Sequence, residues 1–134
     1  MIIKASTKYI REGPSKIRPV ARLLIGLSPQ EAIFRLSLIR KRARKILIKL
    51  VRQGMANAKN NFKIEPEGLK ISKLIVNEGP RMKRYDKSHG ARFDGGVIKK
   101  KFSHIYLILE TAEETSPSLL KEKGTQRGVR ENGK

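Results

Sequence analysis

Apolar and polar positions alternate over residues 2–11, with Ile3, Ala5, Thr7 and Tyr9 on one side, which is the two-residue period of a β-strand. Gly13-Pro14-Ser15 breaks that period. The next apolar set, Ile17, Val20, Ala21 and Leu24, recurs at i, i+3, i+4 and i+7 and so lies on one face of a helix. Where that helix starts is open. Pro14 suits the first helical position, but Pro19 then falls inside and kinks the helix. Gly26 closes it. Ser28-Pro29-Gln30-Glu31 predicts a second, short helix ending near Leu38, with Ser28 as its cap and Glu31 as the returning acid of a capping box.

A longer helix follows over about 41–60. Ala43, Ile46, Leu47, Leu50, Val51, Gly54 and Ala58 form its buried stripe, and Arg42, Arg44, Lys45, Lys49, Arg52 and Lys59 fill the rest. Gly54, near Ala56 and Ala58, predicts close approach by another element. Glu65-Pro66-Glu67-Gly68 reads as a turn, then 69–77 and 97–110 as strands, the second with Ile105, Leu107 and Leu109 facing one way.

Between those strands lies GPRMKRYDKSHGARFDGGVIKKKF, too long for an ordinary connection in a compact domain. Strand patterns on both sides make it a long antiparallel hairpin. Arms of about ten residues at about 3.3 Å each reach about 30 Å beyond the core. Gly79-Pro80 breaks the strand pattern, and Arg81, Lys83, Arg84 and Lys87 then put basic side chains on both faces. Such a ribbon buries little apolar surface and is marginal in water without outside walls. Residues 113–134 are polar and aperiodic and read as a disordered tail, leaving one domain over 1–112 with a hairpin extension at about 79–101.

Composition explains what the walls are made of. Of 134 residues, 38% are hydrophobic and only 5% aromatic, with no Trp, and the net charge is +19 with a sequence pI of about 10.7. Residues 1–62 carry fifteen Lys and Arg against two Glu, and residues 79–101 carry eight against two Asp. The segments 63–78 and 102–134 are each neutral. A solvated helix face normally mixes signs, so an acid-poor half points to a polyanionic partner, with nucleic acid first. A basic amphipathic helix also suits an anionic membrane, but the 41–60 stripe has no aromatic anchor and ranks lower. The chain has no cysteine, hence no disulfide framework and no thiolate metal site. The N-terminal residues lack the apolar run of a signal peptide, and no segment has the length of apolar sequence a membrane span needs, so an intracellular soluble protein is expected.

Catalysis finds little support. His89 and His104 are far apart in sequence and have no metal-ligand spacing around them. Asp86 and Asp94 flank the hairpin tip and read better as turn formers than as a catalytic pair. Gly90, Gly95 and Gly96 form no phosphate-binding loop. No enzyme activity and no cofactor are expected.

Three separated blocks carry a family resemblance: KYIREGPSKIRPVARLLIGLSPQEA, the helix end MANAKNN, and VNEGPRMKRY with KKKFSHIYLIL. In this order, over roughly residues 2–110, the chain resembles the large-subunit ribosomal protein twenty-two family. The resemblance implies an α+β fold, three helices packed on a small antiparallel three-stranded sheet with one long extended hairpin. It further implies a monomer within the cytoplasmic ribosome, at the surface of the large subunit near the exit of the nascent-peptide tunnel. Its partners are large-subunit ribosomal RNA, neighbouring large-subunit ribosomal proteins and the nascent polypeptide.

Positions matching the family's RNA contacts are Lys8, Arg11, Ser15, Lys16, Arg18 and Arg22 in the first block. At the end of the long helix they are Asn57 and Asn60. In the hairpin they are Met82, Lys83, Arg84, Lys99, Lys100, Lys101, Ser103 and His104. The tip, expected to line the tunnel, is Lys87, Ser88, His89, Gly90, Ala91, Arg92 and Phe93. It departs from the family pattern: it is longer, carries two aspartates, and is followed by Phe102 where a Thr is usual. The expected function is a structural, RNA-bridging protein of the large subunit. The alternative is a non-ribosomal basic nucleic-acid-binding or chaperone protein.

Overall fold

A computed structural model of the chain describes residues 1–86 and 96–111. Its elements are β1 (Ile2–Ile10), α1 (Pro14–Arg22), α2 (Pro29–Leu38), α3 (Ala43–Phe62), a 3₁₀ turn (Pro66–Gly68), β2 (Leu69–Tyr85) and β3 (Val97–Thr111). The strands form one antiparallel sheet in the order β1-β3-β2, so β3 is paired on both sides. Ile3 and Ala5 of β1, Leu69 and Ile71 of β2, and Ile105, Leu107 and Leu109 of β3 are buried on one face. The helices cover that face with Ile17, Val20 and Leu24 of α1, Leu36 of α2, and Leu47, Leu50 and Val51 of α3. The expected α+β architecture is the one observed.

Local chemistry accounts for the helix ends. Ser28 Oγ accepts from the Glu31 N–H at 3.3 Å and a Glu31 carboxylate oxygen accepts from the Ser28 N–H at 3.4 Å, the reciprocal capping box the sequence predicted. Both prolines of α1 belong to it: Pro14 opens the helix and Pro19 lies inside, with no N–H to offer the Ser15 carbonyl. Gly26, at φ +85°, turns the chain so that its N–H donates to the Ile71 carbonyl at 2.8 Å while the Ile71 N–H donates to Leu27 at 2.9 Å. That short segment occupies the outer edge of β2. A Cβ on Gly54 would meet Leu109 Cδ1 at 3.0 Å and Leu107 Cδ2 at 3.1 Å, so α3 lies directly on β3, as the small residue implied.

Two readings of the strands need correcting. Tyr9 does not continue the inward face of β1. Its φ is +57°, the pairing shifts between Thr7 and Ile10, and Tyr9 is 66% exposed while Ile10 is buried. A β-bulge has inserted one residue, and the extra position reverses the alternation. Likewise, Gly79-Pro80 does not end its strand. β2 runs on to Tyr85, with a register shift between Glu78 and Arg81 that absorbs both residues. Pro80 has no N–H to give a ladder, and an edge-strand bulge is where that is tolerated. Gly79 suits the bulge, because a Cβ there would crowd the Phe102 backbone, 3.0 Å from its carbonyl carbon.

Candidate nucleic-acid interface

β1 ends opposite Ser103, so β3 beyond that point pairs with β2 alone. The described ribbon therefore emerges as two strands. Its β3 arm of six residues, Val97 to Phe102, spans about 20 Å at about 3.3 Å per residue. The remaining reach and the tip, Lys87, Ser88, His89, Gly90, Ala91, Arg92 and Phe93, lie outside the described residues, as does the 113–134 tail.

The ribbon's register sets like charges against each other. Arg81 faces Lys101 and Lys83 faces Lys99. Like charges directly opposite destabilise an antiparallel pair. Met82, Arg84 and Tyr85 on one arm and Val97 through Lys101 on the other are exposed. Glu78 offsets part of this charge: the Arg81 guanidinium bonds its carboxylate and holds that carboxyl below the usual range. Among the described residues, no helix or third strand buries either face here.

At the ribbon's root two hydrogen bonds tie β3 to the end of β1. The Ser103 hydroxyl, fully buried, donates to the Glu12 carbonyl. The Tyr9 N–H donates to His104 Nδ1 at 3.0 Å, and the two rings meet edge-on with centroids 4.8 Å apart. Ser103, one of the expected RNA contacts, has its side chain turned to the interior and its hydroxyl engaged. Asn57 is half-buried and its Nδ2 donates to the Lys4 carbonyl at 3.2 Å, joining α3 to β1. Arg18 is exposed, yet Nε and Nη2 both donate to the Val76 carbonyl, at 3.4 and 3.3 Å, anchoring α1 to β2.

The other expected positions, Lys8, Arg11, Ser15, Lys16, Arg22, Asn60, Lys83, Arg84, Lys99, Lys100 and Lys101, are exposed. Five of the expected positions converge. Arg11, Ser15, Lys16, Lys100 and Lys101 line one cleft of about 580 Å³ where the start of α1 meets the hairpin root. Lys8, Arg22, Asn57 and Asn60 do not line it. Lys41 and Arg42, from the start of α3, complete the wall. The resemblance did not single those two out. Their sequence signal is the basic run Arg40-Lys41-Arg42 just ahead of α3's buried stripe, in the acid-poor half of the chain.

Among the described residues, no group of three or more His, Asp or Glu could hold a metal, and no helix is long and apolar enough to cross a membrane. The arrangement is suited to binding an extended anion.

The family model described as ribosomal protein L22p/L17e matches residues 5–110. The chain belongs to this family. Among its relatives, the large ribosomal subunit protein uL22 of Petrotoga mobilis is 41% identical over 107 residues, covering 79% of this chain and 70% of that one. The uL22 protein of Halothermothrix orenii is 38% identical over 114 residues, covering 85% and 99%. That of Methylacidiphilum infernorum is 33% identical over 116 residues, covering 87% and 100%. The family-model match at residues 5–110 runs from within β1 to within β3, so the L22p/L17e relationship takes in both the sheet and the hairpin root.

Proposed function

We propose that the protein is a structural constituent of the large ribosomal subunit, without catalytic activity, that binds and bridges segments of large-subunit ribosomal RNA and aids their assembly. The observation that carries this reading is the ribbon Arg81–Tyr85 and Val97–Lys101, a two-stranded element with like charges paired across it. It gains its walls when phosphates and 2′-hydroxyls surround it. RNA neutralises the charge that opposes the hairpin, and the hairpin in turn holds apart or joins the strands it passes between. The tip at 87–93 then lines the nascent-peptide tunnel, and neighbouring large-subunit proteins complete the surroundings. Family membership supports the site of assembly, and the charge distribution supports RNA as the ligand.

Sedimentation of a cell extract on a sucrose gradient at moderate salt tests the assignment. The protein is expected to co-migrate with the large subunit. A pool that stays at the top of the gradient would contradict it and favour a free nucleic-acid-binding protein. For the tip, a photoreactive residue in place of Ala91 should crosslink to a stalled nascent chain; reaction with RNA alone would remove the tunnel from the proposal.

A further inference from the structure

The cleft at the hairpin root collects charge from four parts of the chain. Arg11 comes from the end of β1, Lys16 from α1, Lys41 and Arg42 from the start of α3, and Lys100 and Lys101 from β3. Glu12 is the one acid in the lining, and one of its carboxylate oxygens is buried without a hydrogen-bond partner. None of the six cations is in an ion pair among the described residues. α1 and α3 both begin at this wall, with no acid in the first turn and no capping side chain. The positive ends of two helices therefore add to the field of the side chains.

From this convergence we infer that the cleft is a distinct anchoring site for a sharply turned stretch of RNA backbone, whose successive phosphates are held between the start of α3 and the hairpin root. The inference rests on the RNA-binding reading above and adds to it a place and a task. A cleft admits a bent strand in a way that a flat basic surface does not. Its walls belong both to the rigid helical layer and to β3, so a strand seated there fixes the direction in which the hairpin leaves the domain. Six cations at one mouth repel one another, and seating phosphates among them removes that repulsion. Binding here is governed by charge and carries little sequence information, because the cations meet phosphate oxygens that every nucleotide has.

The test measures binding of the full chain to protein-free large-subunit ribosomal RNA as a function of salt. Lys41→Gln with Arg42→Gln removes two cations that are exposed and outside the hairpin. The slope of log affinity against log salt should become shallower by about 1.4 to 1.8, the value for two lost phosphate contacts. Lys41→Arg with Arg42→Lys should restore the original slope, and circular dichroism should show both variants folded. Because the chain has no cysteine, Ser15→Cys offers a unique attachment for an iron chelate, which should cleave one short stretch of RNA in the assembled particle. If the double Gln variant keeps the wild-type slope while Lys83→Gln with Arg84→Gln lowers it, RNA binding stands and the cleft is refuted as an anchor. If neither pair changes the slope, the RNA-binding reading fails, and the cleft proposal with it.

Discussion

Tyr9 has a left-handed backbone conformation, with φ +57°, that L-residues other than Gly, Asn and Asp adopt reluctantly. Its N–H bond to His104 Nδ1 and its edge-on ring contact hold it there. A β-branched residue has neither the ring nor easy access to that region. Tyr9→Val should therefore lower stability by about 1–2 kcal/mol, whereas Tyr9→Gly, which relieves the strain as it loses the contact, should change the thermal midpoint less. Ser103 has a similar structural role at the same joint. Ser103→Ala leaves the Glu12 carbonyl without its buried donor and should cost about 1 kcal/mol in a denaturant melt, with RNA affinity altered only as far as folding is. A selective loss of RNA binding in a fully stable Ser103→Ala protein would return this residue to the list of contacts. Neither role was legible in the sequence. Period-two alternation put Tyr9 in the core because a bulge has no signature until its partner strand is known, and a family match transfers a position without saying which way its side chain points.

The start of α2 and the buried stripes, by contrast, were legible because they depend on local chemistry: Ser28 to Glu31 is a capping box within four residues, and Gly54 announces close packing in its own stripe. The hairpin is an intermediate case. Its arms were readable from alternation on either side, but the continuation of β2 through Gly79-Pro80 depends on Phe102 across the ladder and on β2 lying at the sheet edge. The ribbon's charge then sets up an opposition between stability and binding. Lys99→Glu places an acid opposite Lys83 and should stabilise the free ribbon by about 0.2–1 kcal/mol. The same change should weaken RNA binding and steepen neither its salt dependence nor its assembly into particles. Slower amide exchange in the free protein together with lower affinity for RNA is the expected pair of results. A gain in both would mean that the arms do not meet phosphate.

Across the whole molecule, the excess charge is confined to residues 1–62 and 79–101. The fold brings these two segments together at the hairpin root, where Arg11, Lys16, Lys41, Arg42, Lys100 and Lys101 share one cleft. Their basic character could be read from sequence; their convergence could not, since it requires α1, α3 and β3 to be packed. Residues 113–134 carry five basic and four acidic side chains and so add only +1 to the net charge of +19, so a chain ending at residue 112 should bind ribosomal RNA with nearly the same salt dependence as the full chain. A shallower slope on truncation would give the tail a share in binding. On the proposed reading, RNA supplies the walls of a hairpin that lacks them in the free protein. Hydrogen exchange read at residues 81–85 and 97–101, first in the isolated chain and then in the assembled large subunit, tests it most directly. These amides should exchange rapidly in isolation and be strongly protected in the particle, while those of the central β3 segment at 105–109 stay protected in both. Slow exchange of 81–85 and 97–101 in the isolated chain would show that the hairpin holds itself together, and would contradict the account.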